Sequence, residues 1–230
     1  IGNLFAYFVS FKYRLVLTLK QKKQFAPNIW ELQFQSDQPI EFSAGQYLEW
    51  TLAQDKTDIR GNRRYFTICS SPTEEKLIIT LKCPIDKAST FKSELLRLEV
   101  DSIVWAGQLM GDFVLPEDKA KKLVWIAGGI GVTPFRSQAK YLFDTKQKRD
   151  IVMFYMASDA TQFVYKDVFA QVGIKTRYLT TRLQTADLSP YKDRLFYLSG
   201  PNAMIESYKE LLSSLKVPSA HIITDYFPGY

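Results

Sequence analysis

Between Tyr13 and Leu115 apolar and polar positions alternate over short stretches. RLVLTLKQ, IWELQFQS, QYLEWTL, RYFTICS, KLIITLK and DSIVWAG are rich in β-branched and aromatic residues, several with every second position apolar, which is the period of a half-buried strand. Six such stretches within roughly a hundred residues predict a small antiparallel barrel or sandwich. One segment breaks this meander late. STFKSELLRL places Phe91, Leu95 and Leu98 at helical spacing behind hydroxyl residues suited to an N-cap, so a short helix is expected there. After Pro116 the rhythm changes to strand then helix: KLVWIAGG and PFRSQAKYLF, DIVMFYMA and FVYKDVFAQV, TRYLTT, LFYLSG and NAMIESYKELLSSL, then HIITDYF. That alternation predicts a parallel sheet wrapped by helices. The chain is expected to divide into a leader over residues 1–12, an antiparallel β-barrel over 13–118, and an α/β Rossmann-like domain over 119–230, with LPEDKAKK as the linker.

Composition removes several chemistries. The chain has 230 residues, two of them cysteines and one a histidine. Cys69 and Cys83 lie too far apart for a CxxC zinc knuckle and are too few for a four-cysteine iron–sulfur loop, so any such cluster must sit on a partner. Isolated strand cysteines are most often small buried hydrophobes. With His221 alone, Ser-His-Asp, Cys-His and multi-histidine metal chemistry have almost nothing to work with, and no metal site is expected.

Charge is unevenly spread. Residues 1–120 hold 15 Lys+Arg against 15 Asp+Glu, and residues 121–230 hold 15 against 9, so the whole excess of +6 lies in the second half. Such an excess attracts a polyanionic nucleotide, an acidic partner or an anionic membrane surface. Nucleic acid is not expected as a partner, because the basic residues do not cluster at helical spacing and no nucleic-acid motif accompanies them. The opening IGNLFAYFVSF is apolar and runs into Lys12, Arg14, Lys20, Lys22 and Lys23 before any acid appears. Eleven residues are too few to span a bilayer, and a signal peptide carries its basic residues in front. Apolar residues followed by basic ones resemble the cytoplasmic end of a transmembrane helix, while a disordered or amphipathic leader fits the same pattern. The location expected is therefore the cytoplasmic side of a membrane, or the cytoplasm.

Two glycine turns carry the sharpest local signals. In Trp125-Ile126-Ala127-Gly128-Gly129-Ile130-Gly131-Val132-Thr133-Pro134 an apolar strand enters a glycine-rich turn, and Pro134 suits the first turn of a helix. Glycines let backbone approach an anion, and a helix N-terminus directs free N–H groups at it. A tight strand–helix connection accounts for one such turn equally well. The second turn, Tyr197-Leu198-Ser199-Gly200-Pro201-Asn202-Ala203-Met204, also follows an apolar strand and opens a helix. Two such turns on one parallel sheet make a crevice at the carboxyl ends of its strands, where ligands of open sheets bind.

Upstream, Arg63-Arg64-Tyr65-Phe66-Thr67-Ile68-Cys69-Ser70-Ser71-Pro72 ends a barrel strand. RxFTxxSSP, GGIGVTP, SGPxAM and an aromatic C-terminus, in that order, resemble the ferredoxin-NADP reductase family of flavoenzymes over roughly residues 12–230. The resemblance implies that Arg64 meets the FAD pyrophosphate, Phe66 packs on the flavin side in place of the more usual tyrosine, and Thr67 hydrogen-bonds toward N5, with Tyr65 and Ile68 on the same strand. Without the other motifs, Phe66 and Ile68 read as inward-facing barrel residues. Ser89 and Thr90 match the second flavin-phosphate element, although Asp86 stands where the family has glycine; a plain helix cap gives the same pattern. Phe227 matches the aromatic residue that covers the flavin face, with Tyr230 a second candidate and a core aromatic the bland alternative. For the nicotinamide nucleotide the resemblance assigns Gly128, Gly129, Gly131, Val132 and Thr133 to the pyrophosphate, and Ser199, Gly200, Pro201 and Met204 to the nicotinamide end, Ser199 replacing the usual cysteine.

NADPH-preferring members tend to carry Ser-Arg and a tyrosine after the next strand. Here Ser158-Asp159 stands with Tyr165, and a carboxylate repels a 2′-phosphate but accepts hydrogen bonds from a ribose diol. NADH is favoured over NADPH, although Arg177 and Arg182 are near enough in sequence to serve a phosphate. The implied activity is an FAD-containing NADH-dependent reductase, similar to the reductase domains of membrane electron-transport proteins, with Thr67, Ser199 and Phe227 at the reacting rings. Its electron acceptor is not encoded in this chain; an iron–sulfur protein, a flavin, a quinone or a membrane domain all suit. The alternatives are a non-catalytic nucleotide-binding module and a basic membrane adaptor.

Overall fold

A computed structural model of the chain describes residues 14–53, 58–59, 61–84 and 88–225. Strands β1 (Leu15–Ala26), β2 (Ile29–Ser36), β3 (Tyr47–Thr51), β4 (Arg63–Thr67), β5 (Leu77–Lys82) and β6 (Ile103–Met110) form one antiparallel sheet in the order β4-β3-β6-β1-β2-β5. Alternation places Leu15, Leu17 and Leu19 of β1 inward with Leu32 and Phe34 of β2 and Trp50 of β3. Helix α1 (Thr90–Arg97) precedes β6 and drives Phe91 and Leu95 into that same core. Strand β1 is longer than its sequence pattern predicts. It runs through Lys22 and Lys23 to Ala26 because Asn28, at φ +63°, turns the chain into a hairpin whose pairing extends from Leu17↔Ser36 to Ala26↔Ile29.

The second half is the expected parallel sheet, in the order β11-β10-β7-β8-β9, built from β7 (Leu123–Gly128), β8 (Ile151–Met156), β9 (Lys175–Leu179), β10 (Leu195–Ser199) and β11 (Ile222–Thr224). Helices α2 (Thr133–Asp144), α3 (Lys166–Val172), α4 (Thr185–Leu188) and α5 (Asn202–Ser214) accompany it. Strand β7 is buried on both faces. Leu123, Trp125 and Ala127 share a core with Phe135 of α2 and Phe169 of α3, while Val124 and Ile126 face Ile205 and Leu212 of α5.

The first of these cores also takes in Cys69, Ile78 and Phe113 from the barrel half, so the barrel docks on the α2 side of the sheet. Polar contacts accompany that docking. Ser137 donates to the Ser70 carbonyl at 2.6 Å, Gln138 to the Phe113 carbonyl at 2.7 Å, and Tyr197 to the Val114 carbonyl at 2.8 Å. The Arg136 guanidinium bridges both Glu74 carboxylate oxygens and the Cys69 carbonyl.

Helix α3 begins later than FVYKDVFAQV predicts, at Lys166, because Tyr165 adopts the left-handed conformation and Phe163–Tyr165 forms a loop toward the barrel. Cys69 and Cys83 are both buried free thiols, and burial pushes Cys69 up to about 11. The leader 1–12, Asp86, and the aromatic C-terminus with Phe227 and Tyr230 lie outside the described residues. Among the described residues no helix is long and apolar enough to cross a membrane.

Candidate nucleotide groove

Strand β7 delivers Gly128 to a short 3-10 turn, Gly129–Val132, that leads directly into α2. The four glycines of the two turns do different work. A Cβ on Gly131 would lie 2.3 Å from the Ser199 carbonyl oxygen, one on Gly128 2.3 Å from Met204 Sδ, and one on Gly200 2.6 Å from Met204 Cε. Those three let the turns after β7 and β10 close on each other. Gly129 is the open one: its φ is +54° and a Cβ there would meet nothing within 4 Å. Val132 and Thr133 are buried, and the Thr133 N–H and hydroxyl both donate to the Ile130 carbonyl, the hydroxyl at 3.2 Å. Pro201 caps α5, and Met204 in its first turn fills the space over Gly128 and Gly200.

Ser199 is buried at the end of β10, and its hydroxyl donates to Asp225 Oδ2 at 2.8 Å. Burial pushes the Asp225 carboxyl up to about 7, against the opposing pull of the Ser199 bond. That partnership is absent from the sequence pattern, since 26 residues separate the two. It arises because β10 and β11 run parallel, with Leu198 paired to Thr224.

The barrel motif lies on strand β4. Its alternation puts Arg64 and Phe66 on one side and Tyr65 and Thr67 on the other. Phe66 is 6% exposed, its ring 5.9 Å from that of Phe91 and 6.4 Å from that of Trp50. Phe66 lies in the barrel core, as does Ile68, with α1 and β3 covering that side. One guanidinium nitrogen of Arg64, Nη2, donates to both Asp58 carboxylate oxygens at 2.6 and 2.7 Å, the other, Nη1, donates to the Gly61 carbonyl at 3.1 Å, and the group stands 5.4 Å from the Phe91 ring. A phosphate would have to displace Asp58 to reach it. Ser89 is the N-cap of α1, accepting from the Lys92 N–H at 3.3 Å, and Thr90 is the first helical residue.

Thr67 is buried opposite Tyr47 of β3, and Tyr65 meets the Tyr47 ring edge-on at 5.5 Å. Burial raises the Tyr47 phenol pKa, with further contributions from Tyr65, Asp225 and Asp112. Just beyond Thr67 the chain meets α2, where the Cys69 and Ser70 carbonyls accept from Arg136 and Ser137, so the end of β4 lies beside the helix that the Gly129–Val132 turn opens. Tyr47 carries no motif, and sequence reasoning missed it.

Beyond β8, Ser158 donates to Gln162 at 3.3 Å, and Asp159 Oδ1 accepts from the Thr161 N–H at 2.7 Å and hydroxyl at 2.6 Å, which lowers its pKa. Arg177 is paired with Asp187 at 3.0 Å and lies over Phe154, so it is committed elsewhere. Tyr165, expected near the nucleotide, faces the barrel instead; its hydroxyl reaches Thr80 and Glu31. It borders a cleft of about 780 Å³ between β1, β2, β5 and α3, whose lining contains no other residue that the motifs single out.

Residues 125–184 match the family model of the oxidoreductase NAD-binding domain, a span containing the Gly128–Gly131 turn and Ser158-Asp159. The chain is 25% identical over 230 aligned residues to oxidoreductase NAD-binding domain-containing protein 1 of Bos taurus, covering 81% of this chain and 72% of that protein. Its fold superposes on the FAD/NAD-binding domain of nitric oxide dioxygenase from Vibrio cholerae O1 biovar El Tor with a TM-score of 0.81 and 18% identity, over 92% of this chain and 97% of the other. Ferredoxin-NADP+ reductase from Plasmodium falciparum gives a TM-score of 0.76 at 16% identity, over 93% and 96% of the two chains.

Proposed function

We propose, for a chain of ferredoxin-NADP reductase-like fold that carries an oxidoreductase NAD-binding domain, that it is an FAD-dependent NADH oxidoreductase passing electrons to a separate acceptor. The observation that carries this is the junction of the two halves: the end of β4 is held by Arg136 and Ser137 to the helix that follows the Gly128–Gly131 turn, and that turn closes on the one after β10.

The residues present fit both groups. Gly129 leaves backbone open at the start of α2, where N–H groups and the helix dipole favour a pyrophosphate. Arg64 and the capped N-terminus of α1 suit the phosphates of FAD, the guanidinium exchanging the Asp58 carboxylate for a phosphate. When bound, FAD supplies the redox chemistry, taking a hydride from NADH and releasing electrons onward. The chain's own residues align and exclude water: Met204 and Pro201 wall the nicotinamide end, Thr67 is assigned to the flavin ring, and Ser199 is oriented by Asp225. Phe227 is assigned to cover the flavin face. Asp159, with Ser158, favours the unphosphorylated ribose of NADH, and Arg177 is held by Asp187. In this reading residues 13–118 serve FAD and 119–230 the nicotinamide nucleotide. The leader's apolar-then-basic order supports a place on the cytoplasmic side of a membrane beside a membrane-borne or iron–sulfur acceptor.

The test is an absorption spectrum after reconstitution with FAD, then anaerobic titration with NADH and NADPH. Flavin absorbance that bleaches with NADH at lower concentration than with NADPH is expected. A chain that takes up no FAD, or whose bound flavin neither nucleotide reduces, overturns the proposal.

A further inference from the structure

On the flank of β7 away from Ser199, a buried polar cluster ties the two halves together. Tyr165 follows β8 with φ +63° and ψ +24°, a left-handed conformation unusual for a bulky residue and held only where the surroundings impose it. Its hydroxyl lies 2.5 Å from Thr80 Oγ1 and donates to Glu31 Oε2 at 2.7 Å. Since the single tyrosine proton goes to the carboxylate, the Thr80 hydroxyl donates to the tyrosine oxygen. Glu31 and Thr80 are cross-strand partners in the β2–β5 ladder, so the barrel presents them side by side. All three residues are buried, at 8%, 4% and 5% exposure for Tyr165, Glu31 and Thr80. The Tyr165 ring is further held edge-on by Phe25 at 5.3 Å and covered by the Arg136 guanidinium at 5.5 Å. None of this touches the glycine turns, and the proposed chemistry leaves it unused.

We infer that Tyr165, Glu31 and Thr80 form an interdomain clamp that sets the spacing between the barrel and the parallel sheet, and that they are positioning residues for hydride transfer. The inference rests on the function proposed above, in which one half holds FAD and the other NADH. Two rings held by different domains meet only if those domains keep one relative placement. The clamp lies on one flank of β7 and the nicotinamide turn, at the end of β10, on the other, so a loosened clamp tilts the sheet against the barrel at the groove. An ångström of misplacement is enough to slow transfer on the order of 100-fold, and partial loosening costs less.

The test uses the full chain with spin labels at Glu99→Cys on the barrel and Glu210→Cys on α5, both exposed, the native cysteines being buried. Tyr165→Phe keeps the ring and removes the hydroxyl; Glu31→Leu removes the acceptor; Glu31→Gln keeps an acceptor oxygen. In cofactor-free protein, Tyr165→Phe and Glu31→Leu are expected to broaden the interdomain distance, while Glu31→Gln restores it. With FAD loaded, the first two slow flavin reduction at saturating NADH by about 10-fold with KM within about 2-fold, and weaken the long-wavelength absorbance of stacked nicotinamide and flavin. Unchanged distances in Tyr165→Phe, or broadened distances with unchanged reduction rates, overturn the inference, whatever happens to thermal stability. If the unaltered chain binds FAD but NADH does not reduce it, the functional proposal fails, and the distances still decide whether the clamp exists.

Discussion

The barrel and the parallel sheet build their sides of the groove by opposite means. The barrel offers side chains, whereas the sheet offers positions where side chains are missing. A side chain can be satisfied elsewhere within the chain, as Arg64 is by Asp58 and Phe66 by Phe91 and Trp50. A glycine that admits another backbone has no such second use. For that reason a motif of glycines carries its meaning from sequence to structure with less change than a motif of arginine and aromatic residues.

The contrast is sharpest at Gly131. Gly131→Ala presses a methyl to within 2.3 Å of the Ser199 carbonyl, backbone against backbone. A loss of roughly 3 kcal/mol or more is expected in chemical denaturation, together with loss of NADH binding. Gly129→Ala meets nothing and costs about 1 kcal/mol for its left-handed backbone. Equal losses at the two positions would break the distinction between closing glycines and the open one.

Asp225→Asn follows. A carboxyl raised to about 7 from an unfolded value of 3.8 binds its proton more tightly in the folded chain, so its contribution is fully present below pH 3.8 and is lost as pH rises toward 7. The asparagine variant removes that decline. It is expected to unfold with a flatter profile between about pH 4 and 7 and to gain on the order of 2 kcal/mol over the native chain at pH 8. Parallel profiles for the two proteins would show that Asp225 is not protonated in the fold.

On the barrel side, Arg64→Lys loses the planar guanidinium and should weaken FAD binding about 10-fold, while Asp58→Asn removes the competing carboxylate and should tighten it about 3-fold. Flavin fluorescence on titration reads both. Tighter binding in Arg64→Lys would mean that the arginine serves only its ion pair. The smallest effect is expected at Asp159→Ser, about 5-fold in the NADPH-to-NADH ratio of kcat/KM, because the carboxylate is fully solvated and screened. No change there would move the choice of nucleotide to other residues of the loop.

Much of the architecture was legible along the chain because the signals are local. Alternation in IWELQFQS and KLIITLK marked β2 and β5 nearly to the residue, and Phe91 and Leu95 marked the buried face of α1. The side of β4 that turns inward was not legible. Arg64-Tyr65-Phe66-Thr67 is amphipathic in neither register, and only the arrival of Phe91 from α1 and Trp50 from β3 settles that Phe66 is core. The start of α3 was likewise hidden, since Phe163–Tyr165 carries a helical pattern that its contacts with the barrel override.

Period, glycine and the order of the motifs are properties of neighbouring residues, and from them come the barrel, the parallel sheet and the two turns that face one groove. Which partner a polar side chain takes is a matter of distant residues meeting. Ser199 finds Asp225 across 26 positions, and Tyr165 finds Glu31 across 134. Burial makes these meetings decisive, because a polar group withdrawn from water must be satisfied by whatever the fold brings beside it.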